Sequence, residues 1–279
     1  SARSTGRRLA FARWLTHPNH PLTARVMVNR IWMHHFGHGI VRTPDDFGSS
    51  GAAPTHPKLL DWLAREFITS GWDIKHVHRL IVLSSVYRQS SRPSRDRIAH
   101  SETIDPDNFF LWRQNLRRLE AEPFRDAVLA VSGRLDPRPF GNALRVARRP
   151  DGEVNMADGQ PDNRRSVYIQ ILRLNPQTML QAFDQPTIEI NCAQRSQSTV
   201  ATQALTLWNS RWMEKAAQAF ATRVTSPKNL QVADRAIGLA YARPATDQER
   251  QVIAEFLSAQ AKRHLEGADG KPVAPSAAR

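Results

Sequence analysis

The chain has 279 residues, 41% of them hydrophobic, with 39 Lys+Arg against 26 Asp+Glu and one cysteine. That size and apolar fraction are enough for one large or two small globular domains. A single Cys192 excludes a disulfide within the chain, a Cys-x-x-Cys-His haem attachment and a Cys-rich zinc pattern, and no apolar run approaches the roughly 20 residues of a membrane span.

The net charge of +13 is almost wholly arginine, since lysine occurs only at 58, 75, 215, 228, 262 and 271. Guanidinium groups suit bidentate pairing with carboxylates and phosphates. The excess therefore points to a polyanionic partner, such as nucleic acid, an acidic polysaccharide or an anionic surface. Because the arginines are scattered, solvation and pairing within the fold explain the same charge. A first residue that is Ser and not Met reads as a processed chain or a piece of a larger protein.

Residues 6–16 place Leu9, Ala12, Trp14 and Leu15 near one helical face, and His17-Pro18-Asn19-His20-Pro21 ends that helix. A second helix runs from about Leu22 to Phe36. It is apolar at Val26, Met27, Val28, Ile31, Trp32, Met33 and Phe36, interrupted by Arg25, Asn29, Arg30, His34 and His35, and closed by Gly37 and Gly39. The Gly/Pro/Ser-rich stretch from Ile40 to Pro57 reads as a long loop of the kind that carries function. Thr55 is a candidate N-cap, with Pro57 in the first turn of a helix bearing Leu59, Leu60, Leu63 and Phe67, which Gly71 stops. Asp73 caps the next helix, lined by Ile74, Val77, Leu80, Ile81, Ser84 and Tyr87.

Arg88 to His100 reads as a basic connector, followed by a short helix over Phe109–Trp112 and a longer one from about Leu119 to Ser132. Phe124, Ala127, Val128 and Val131 of that helix turn inward, and Pro123 fits only in its first turn or at a kink. Residues 134–165 are rich in proline and glycine, with no predictable core. Val167, Ile169 and Ile171 alternate with Tyr168, Gln170 and Leu172, which predicts a strand at 166–174. A short helix at Thr178–Phe183 and a long one from Thr199 to Arg223 come next. Two more follow at about 230–242 and 246–264, the last opened by a Thr246/Glu249 capping box. The expected class is mainly α: a multi-helix orthogonal bundle with one or two short strands around 166–174. It divides as 1–133, an irregular 134–165, a packed 166–264 and a disordered tail 265–279, together one composite domain.

Several runs in this order resemble a known family. RRLAFARWLTHPNHPLTARVMVNRIWMHHFGHGIVRTPDDFG, PTHPKLLDWLAREFITSGWDIKHVHRLIVLSSVYRQSS, DPDNFFLWRQNLRRLEAEPFRDAVLAVSG, RRSVY and TVATQALTLWNS are similar to the planctomycete-specific domain one family, a domain of unknown function. The resemblance implies a module at the C-terminal end of a periplasmic or envelope-associated protein, with a cytochrome-c-like domain upstream as partner. Haem would then sit in that separate domain, with no cofactor in this chain. His38 and Met33 stand where the family pattern carries arginine and glutamine.

The residues offer three constellations. His34 and His38 have the four-residue spacing of two imidazoles on one helix face, and Asp45 or Asp46 could complete a metal site, but Gly37 interrupts the helix and no zincin glutamate is present. His34, His35, Asp45 and Asp46 are candidates for acid–base work. Arg25, Asn29, Arg30, Arg118, Glu122 and Asp126 are candidates for ligand binding, with internal pairing to Asp45, Asp46, Asp61, Glu120, Glu122 or Asp126 as the alternative. Cys192, with Arg195 nearby, reads as a buried apolar residue or a thiol of lowered pKa. Most of the seven tryptophans fall on buried faces; Trp72, just after Gly71, is the one most expected at the surface, and a contact that closes the helix end explains it equally well.

No reaction is legible in this pattern. The function classes left open are an assembly module for a haem-bearing envelope partner, an enzyme or binding protein for acidic or sulfated polysaccharide, and nucleic-acid binding through charge, for which no motif is recognisable.

Overall fold

The computed structural model describes residues 5–186, 193–195, 197–226 and 231–266. Eleven α-helices and one two-stranded sheet occur among them, which makes the fold mainly α. Among the described residues no helix is long and apolar enough to cross a membrane. Two compact units are present. One comprises the described residues up to 118 with 193–194; the other comprises 119–186 and the described residues from 195 onward.

In the first unit, α1 (Arg7–Leu15) buries none of its residues, and Leu9, Phe11 and Trp14 are more than half exposed. Its apolar side chains therefore do not form the core face that their spacing suggests. The core is built by α2 (Thr23–Phe36), α3 (Pro57–Thr69) and α4 (Ile74–Leu83). Val28, Ile31, Trp32 and Phe36 of α2 meet Leu60, Leu63 and Phe67 of α3 and Val77 and Ile81 of α4, with Ile40 and Val41 from the following loop. Burying each such side chain contributes about 1.5–3 kcal/mol.

Gly37, with φ of 90°, closes α2 in the left-handed conformation that glycine adopts without a steric cost. The α2 carbonyls left over at this end find donors in Arg117, which bonds His34 O at 2.7 Å, and Asn115, which bonds Phe36 O at 3.1 Å. Asp73 caps α4 through the amides of Lys75 and His76. Thr55, in contrast, caps nothing: His56 is the N-cap of α3, and Thr55 turns back to the carbonyl of Ile40.

Two local expectations in this unit are corrected. The basic connector contains a helix, α5 (Arg95–Ile104), and the helix expected at Phe109–Trp112 is a series of turns. The turn is set by Asp105, whose two carboxylate oxygens accept from the amides of Phe109 and Phe110 at 2.8 Å each. Trp72 is half-buried against Phe67, with rings 5.0 Å apart.

The second unit centres on α6 (Ala121–Ser132), with Pro123 in its first turn. Its most deeply buried positions are Ala121, Arg125, Leu129 and Ser132, while Phe124, Ala127, Val128 and Val131 are only half-buried. The only sheet among the described residues pairs β1 (Val146–Arg148) antiparallel with β2 (Val154–Met156) and lies within the segment expected to be irregular. Leu144, Val146 and Val154 from that segment enter the core with Ile169, Met179, Leu180 and Phe183.

The strand expected at 166–174 is not formed. Ser166–Tyr168 is a turn of 3-10 helix, and only Ile169 makes a single bridge, to Leu144. The reason is a tertiary contact: Asp126 of α6 accepts from both the amide and the hydroxyl of Ser166 at 2.7 Å, which curls the chain where a strand would need it extended.

After α7 (Thr178–Ala182), the long helix expected from Thr199 is two: α8 (Ala201–Asn209) and α9 (Arg211–Thr225). Ser210 breaks them by adopting extended dihedrals and capping α9 through the amide of Met213. The break leaves Trp208 90% exposed, and Trp14 and Trp62 are exposed as well, whereas Trp72, the tryptophan expected to be most exposed, is half-buried. Last come α10 (Val232–Tyr241) and α11 (Asp247–Glu266). Thr246 and Glu249 form the expected reciprocal cap, and Arg243 grips Glu249 with two bonds of 2.8 and 2.6 Å. That guanidinium and the Thr246 amide hold the Glu249 carboxyl at about 2. Cys192 and residues 267–279 lie outside the described residues.

Candidate functional site

The polar residues of α2 are engaged one by one. Asn29 is fully buried; its amide nitrogen donates to Val41 O at 3.0 Å and its oxygen accepts from the Val41 amide at 2.8 Å. It thereby takes the place of a β partner for a loop residue that would otherwise bury two unpaired groups. Gly39 must be glycine for this contact, since a Cβ there would stand 2.5 Å from the Asn29 amide nitrogen.

Arg25 is paired with Asp61 at 2.7 Å. Arg30 stands 3.9 Å from Asp45, both well exposed. Asp46 accepts from the Gly48 amide at 2.8 Å and holds Thr43 through its own carbonyl, so it serves the turn. His34 is exposed. His35 shares a hydrogen bond of 2.7 Å with Nδ1 of His78 and lies edge-on to Tyr87. Burial first, then the charges of His78, Arg117 and His34, push the His35 imidazole below its ordinary range; burial, Arg42 and Arg117 do the same to His38. His38 lies beyond the left-handed Gly37, so it does not continue the helical face of His34. No group of three or more potential metal ligands is gathered among the described residues.

A cavity of about 510 Å³ does lie beside this loop, but its wall is mostly Pro21, Leu22, Phe47, Pro54, Pro57 and Leu60, with the Arg25–Asp61 pair at hand. His34, His35, Arg30, Asp45 and Asp46 are not among its lining residues.

The larger cavity, about 810 Å³, belongs wholly to the second unit. Four pieces of chain supply its wall: Arg125 of α6 with Gly133 and Arg134 just past its end, the hairpin residues Arg149, Asn155 and Met156, the loop 157–163, and the first turns of α9 with Ser210, Arg211, Trp212 and Lys215. Gln177 and Met179 complete it. Its volume falls within the span typical of small-ligand sites, about 300–1,000 Å³.

Arg125 frames this wall. It is 2% exposed, and its Nη1 donates to Arg164 O at 2.9 Å and to the Ser166 hydroxyl at 3.3 Å, while Nη2 donates to Asp162 O at 2.6 Å. Its guanidinium also lies 5.2 Å from the ring centre of Trp212, whose indole N–H reaches the same Asp162 carbonyl at 3.3 Å. Burial pulls the Arg125 guanidinium down to about 10, against the opposing charges of Asp126 and Asp162, so it stays cationic at neutral pH.

Arg134 donates through Nη2 to the Asp162 carboxylate at 2.7 Å. Its other terminal nitrogen, Nη1, is buried with no hydrogen-bond partner among the described residues. Such a donor carries a desolvation cost of about 1–3 kcal/mol until an acceptor meets it.

Five cations thus face two carboxylates, Asp158 and Asp162, and Asp162 is already engaged by Arg134. Arg149, Arg211 and Lys215 are exposed on the wall, and no side-chain hydrogen bond or ion pair ties any of them among the described residues. The amides of Asn155, Gln160 and Asn163 add neutral donors and acceptors. What this surface offers chemically is a field for negative charge, with side groups able to read hydroxyls.

Of the ligand candidates that the sequence offers in this unit, Glu122 and Asp126 both serve the framework. Burial alone would raise the Glu122 carboxyl, but Arg195 at 2.6 Å, the Glu122 amide and Gln185 outweigh it and hold it low. Asp126 fixes the 3-10 turn as described. Arg118 is half-buried in the first unit. Sequence reasoning missed Arg125, Arg134, Arg149, Arg211 and Lys215. The legible signal was small: Arg211 and Lys215 stand four apart on a helix, next to a tryptophan.

The fold and this cavity together define a mainly α, two-unit protein with a basic ligand-sized hollow in its second unit. The chain belongs to the family described as PSD1, Protein of unknown function (DUF1553), whose model matches residues 7–257. No curated protein and no solved structure matches it.

Proposed function

We propose that this protein is a binding module for an acidic, polyhydroxylated ligand, a segment of acidic or sulfated polysaccharide, held in the cavity of the second unit. The observation that carries the reading is the set of cations Arg149, Arg211 and Lys215, which face a cavity of about 810 Å³ without carboxylate partners among the described residues. A merely solvated basic surface would not need the neighbouring buried donor on Arg134 or the amides of Asn155, Gln160 and Asn163. Titration with a heparin hexasaccharide, with maltohexaose and with a short DNA duplex tests it. The hexasaccharide binds, with affinity falling as salt rises, and maltohexaose does not. Arg149→Gln with Arg211→Gln weakens that binding by about tenfold or more. If the double variant binds unchanged, or DNA binds as tightly as the hexasaccharide, the charge acts diffusely and the cavity reading fails.

A second reading, assembly with a cytochrome-c-like domain or another envelope protein, is favoured by α1. That helix exposes Leu9, Phe11 and Trp14, with the last two rings stacked 5.8 Å apart, and buries none of its residues. Large apolar side chains grouped on the surface mark interaction sites. Phe11→Ser with Trp14→Ser abolishes co-elution with such a domain if this reading holds and leaves it intact if it does not.

A further inference from the structure

We propose that the α9 wall of the cavity is a subsite for a tetrahedral oxyanion, a sulfate or phosphate ester carried on a polyhydroxylated ligand. This rests on the acidic-ligand reading above and narrows it. Arg211 and Lys215 are four residues apart on α9, so both side chains rise from one face, and both line the cavity. Arg149 comes to the same cavity from a different element, the residue that follows β1. The cations therefore arrive from separate elements, and one of them is a lysine ammonium.

The geometry of the anion decides which ligand this suits. A carboxylate has two coplanar oxygens, which one guanidinium fork satisfies side by side. In the cavity wall the one carboxylate so engaged, Asp162, takes a single bond from Arg134 Nη2 at 2.7 Å. An ester oxyanion instead directs three oxygens away from a tetrahedral centre and takes donors from several directions, for which an ammonium and two guanidinium groups on different elements are suited. The start of α9 stands in the same wall, and its first-turn amides add positive potential there. Asn155, Gln160 and Asn163 can meet the hydroxyls of the carrier.

Three glucose derivatives that differ only at carbon 6 test this on the full chain: the 6-sulfate, the 6-phosphate and the carboxylate, glucuronate. Calorimetric or NMR titration is expected to show at least one ester binding about tenfold more tightly than glucuronate. The tighter ester identifies the source of the anion, and either order supports the subsite. Arg211→Gln with Lys215→Met is expected to remove that advantage without moving the melting temperature, because both side chains are exposed.

Glucuronate binding as tightly as both esters overturns the subsite while leaving the acidic-ligand reading in place. Ester binding unchanged in the double variant also overturns it, by moving the anion off α9. If none of the three glucose derivatives binds and the heparin hexasaccharide does not bind either, both proposals fall.

Discussion

The α2–loop junction of the first unit and the cavity of the second carry the same residue types, arginines and amides among apolar and aromatic groups, and use them in opposite ways. At the junction, Asn29 is closed onto Val41, Arg25 onto Asp61, and Asp46 onto its own turn. In the cavity, Arg125 and Arg134 are similarly tied into the framework, but Arg149, Arg211 and Lys215 are not tied to any carboxylate among the described residues. An unusual polar residue in an apolar helix is thus a poor guide to a ligand, because a buried backbone group recruits it first. A cation without an internal partner, on the wall of a hollow, is the better guide.

The sharpest way to break that contrast is at the residues said to be structural. Arg125→Met should destabilise the second unit by about 3 kcal/mol, since it strips donors from two carbonyls and the Ser166 hydroxyl and removes the cation beside Trp212. Urea titration followed by Trp fluorescence measures this; a loss below about 0.5 kcal/mol would show that the frame does not depend on Arg125. Asn29→Ala should cost about 2–3 kcal/mol in the first unit, because it leaves the amide and carbonyl of Val41 buried and unpaired. The same denaturation, with the hexasaccharide titration unchanged, would confirm that this residue holds the fold and not a ligand.

Acid should act on the first unit at His35, which burial first and then the neighbouring His78 hold below its ordinary range. The pKa of His35 in the folded state lies below its unfolded value near 6.5, so between those two values the unfolded chain binds the extra proton. Stability is therefore fully present above the unfolded pKa and declines as pH falls through about 6.5 toward the folded pKa, with a slope of at most about 1.4 kcal/mol per pH unit for one proton. His38 is shifted in the same direction and adds to the slope. His35→Gln should flatten, without abolishing, the fall in melting temperature between about pH 7 and pH 5. An unchanged slope would remove the titration of His35 as its cause.

Helices α2, α3 and α4 of the first unit were legible because their apolar residues recur at helical spacing and their ends carry Gly37, Pro57 and Asp73, residues whose local chemistry dictates a stop or a cap. The β1–β2 hairpin was not, since three-residue strands give no period to read and its neighbours are glycine and proline. The 166–174 segment misled for a different reason. Its alternation is real, yet the contacts of Ser166 with Asp126, 40 residues away, override it. The cavity was illegible because α6, the hairpin, the 157–163 loop and α9 meet only in three dimensions, and no single stretch holds more than two of its cations among neighbouring turns. Arg125 was hidden by its charge: periodicity sorts arginine outward, whereas here three acceptors draw it in.

The smallest effect is expected one residue from one of the largest. Arg30 follows Asn29 on α2, but its guanidinium is 48% exposed and stands 3.9 Å from an Asp45 that is 71% exposed. Coulomb attraction at that distance is weak in a high dielectric, and ordering two solvated side chains offsets much of it. Arg30→Ala should therefore change stability by less than about 0.5 kcal/mol, little altered by salt. If the polar set of α2 acted together as an anion site, losing Arg30 would also weaken hexasaccharide binding. Titration of Arg30→Ala beside Arg149→Gln separates the cases: unchanged affinity in the first and a loss in the second keeps the ligand in the second unit, and the reverse result would return it to the α2–loop junction.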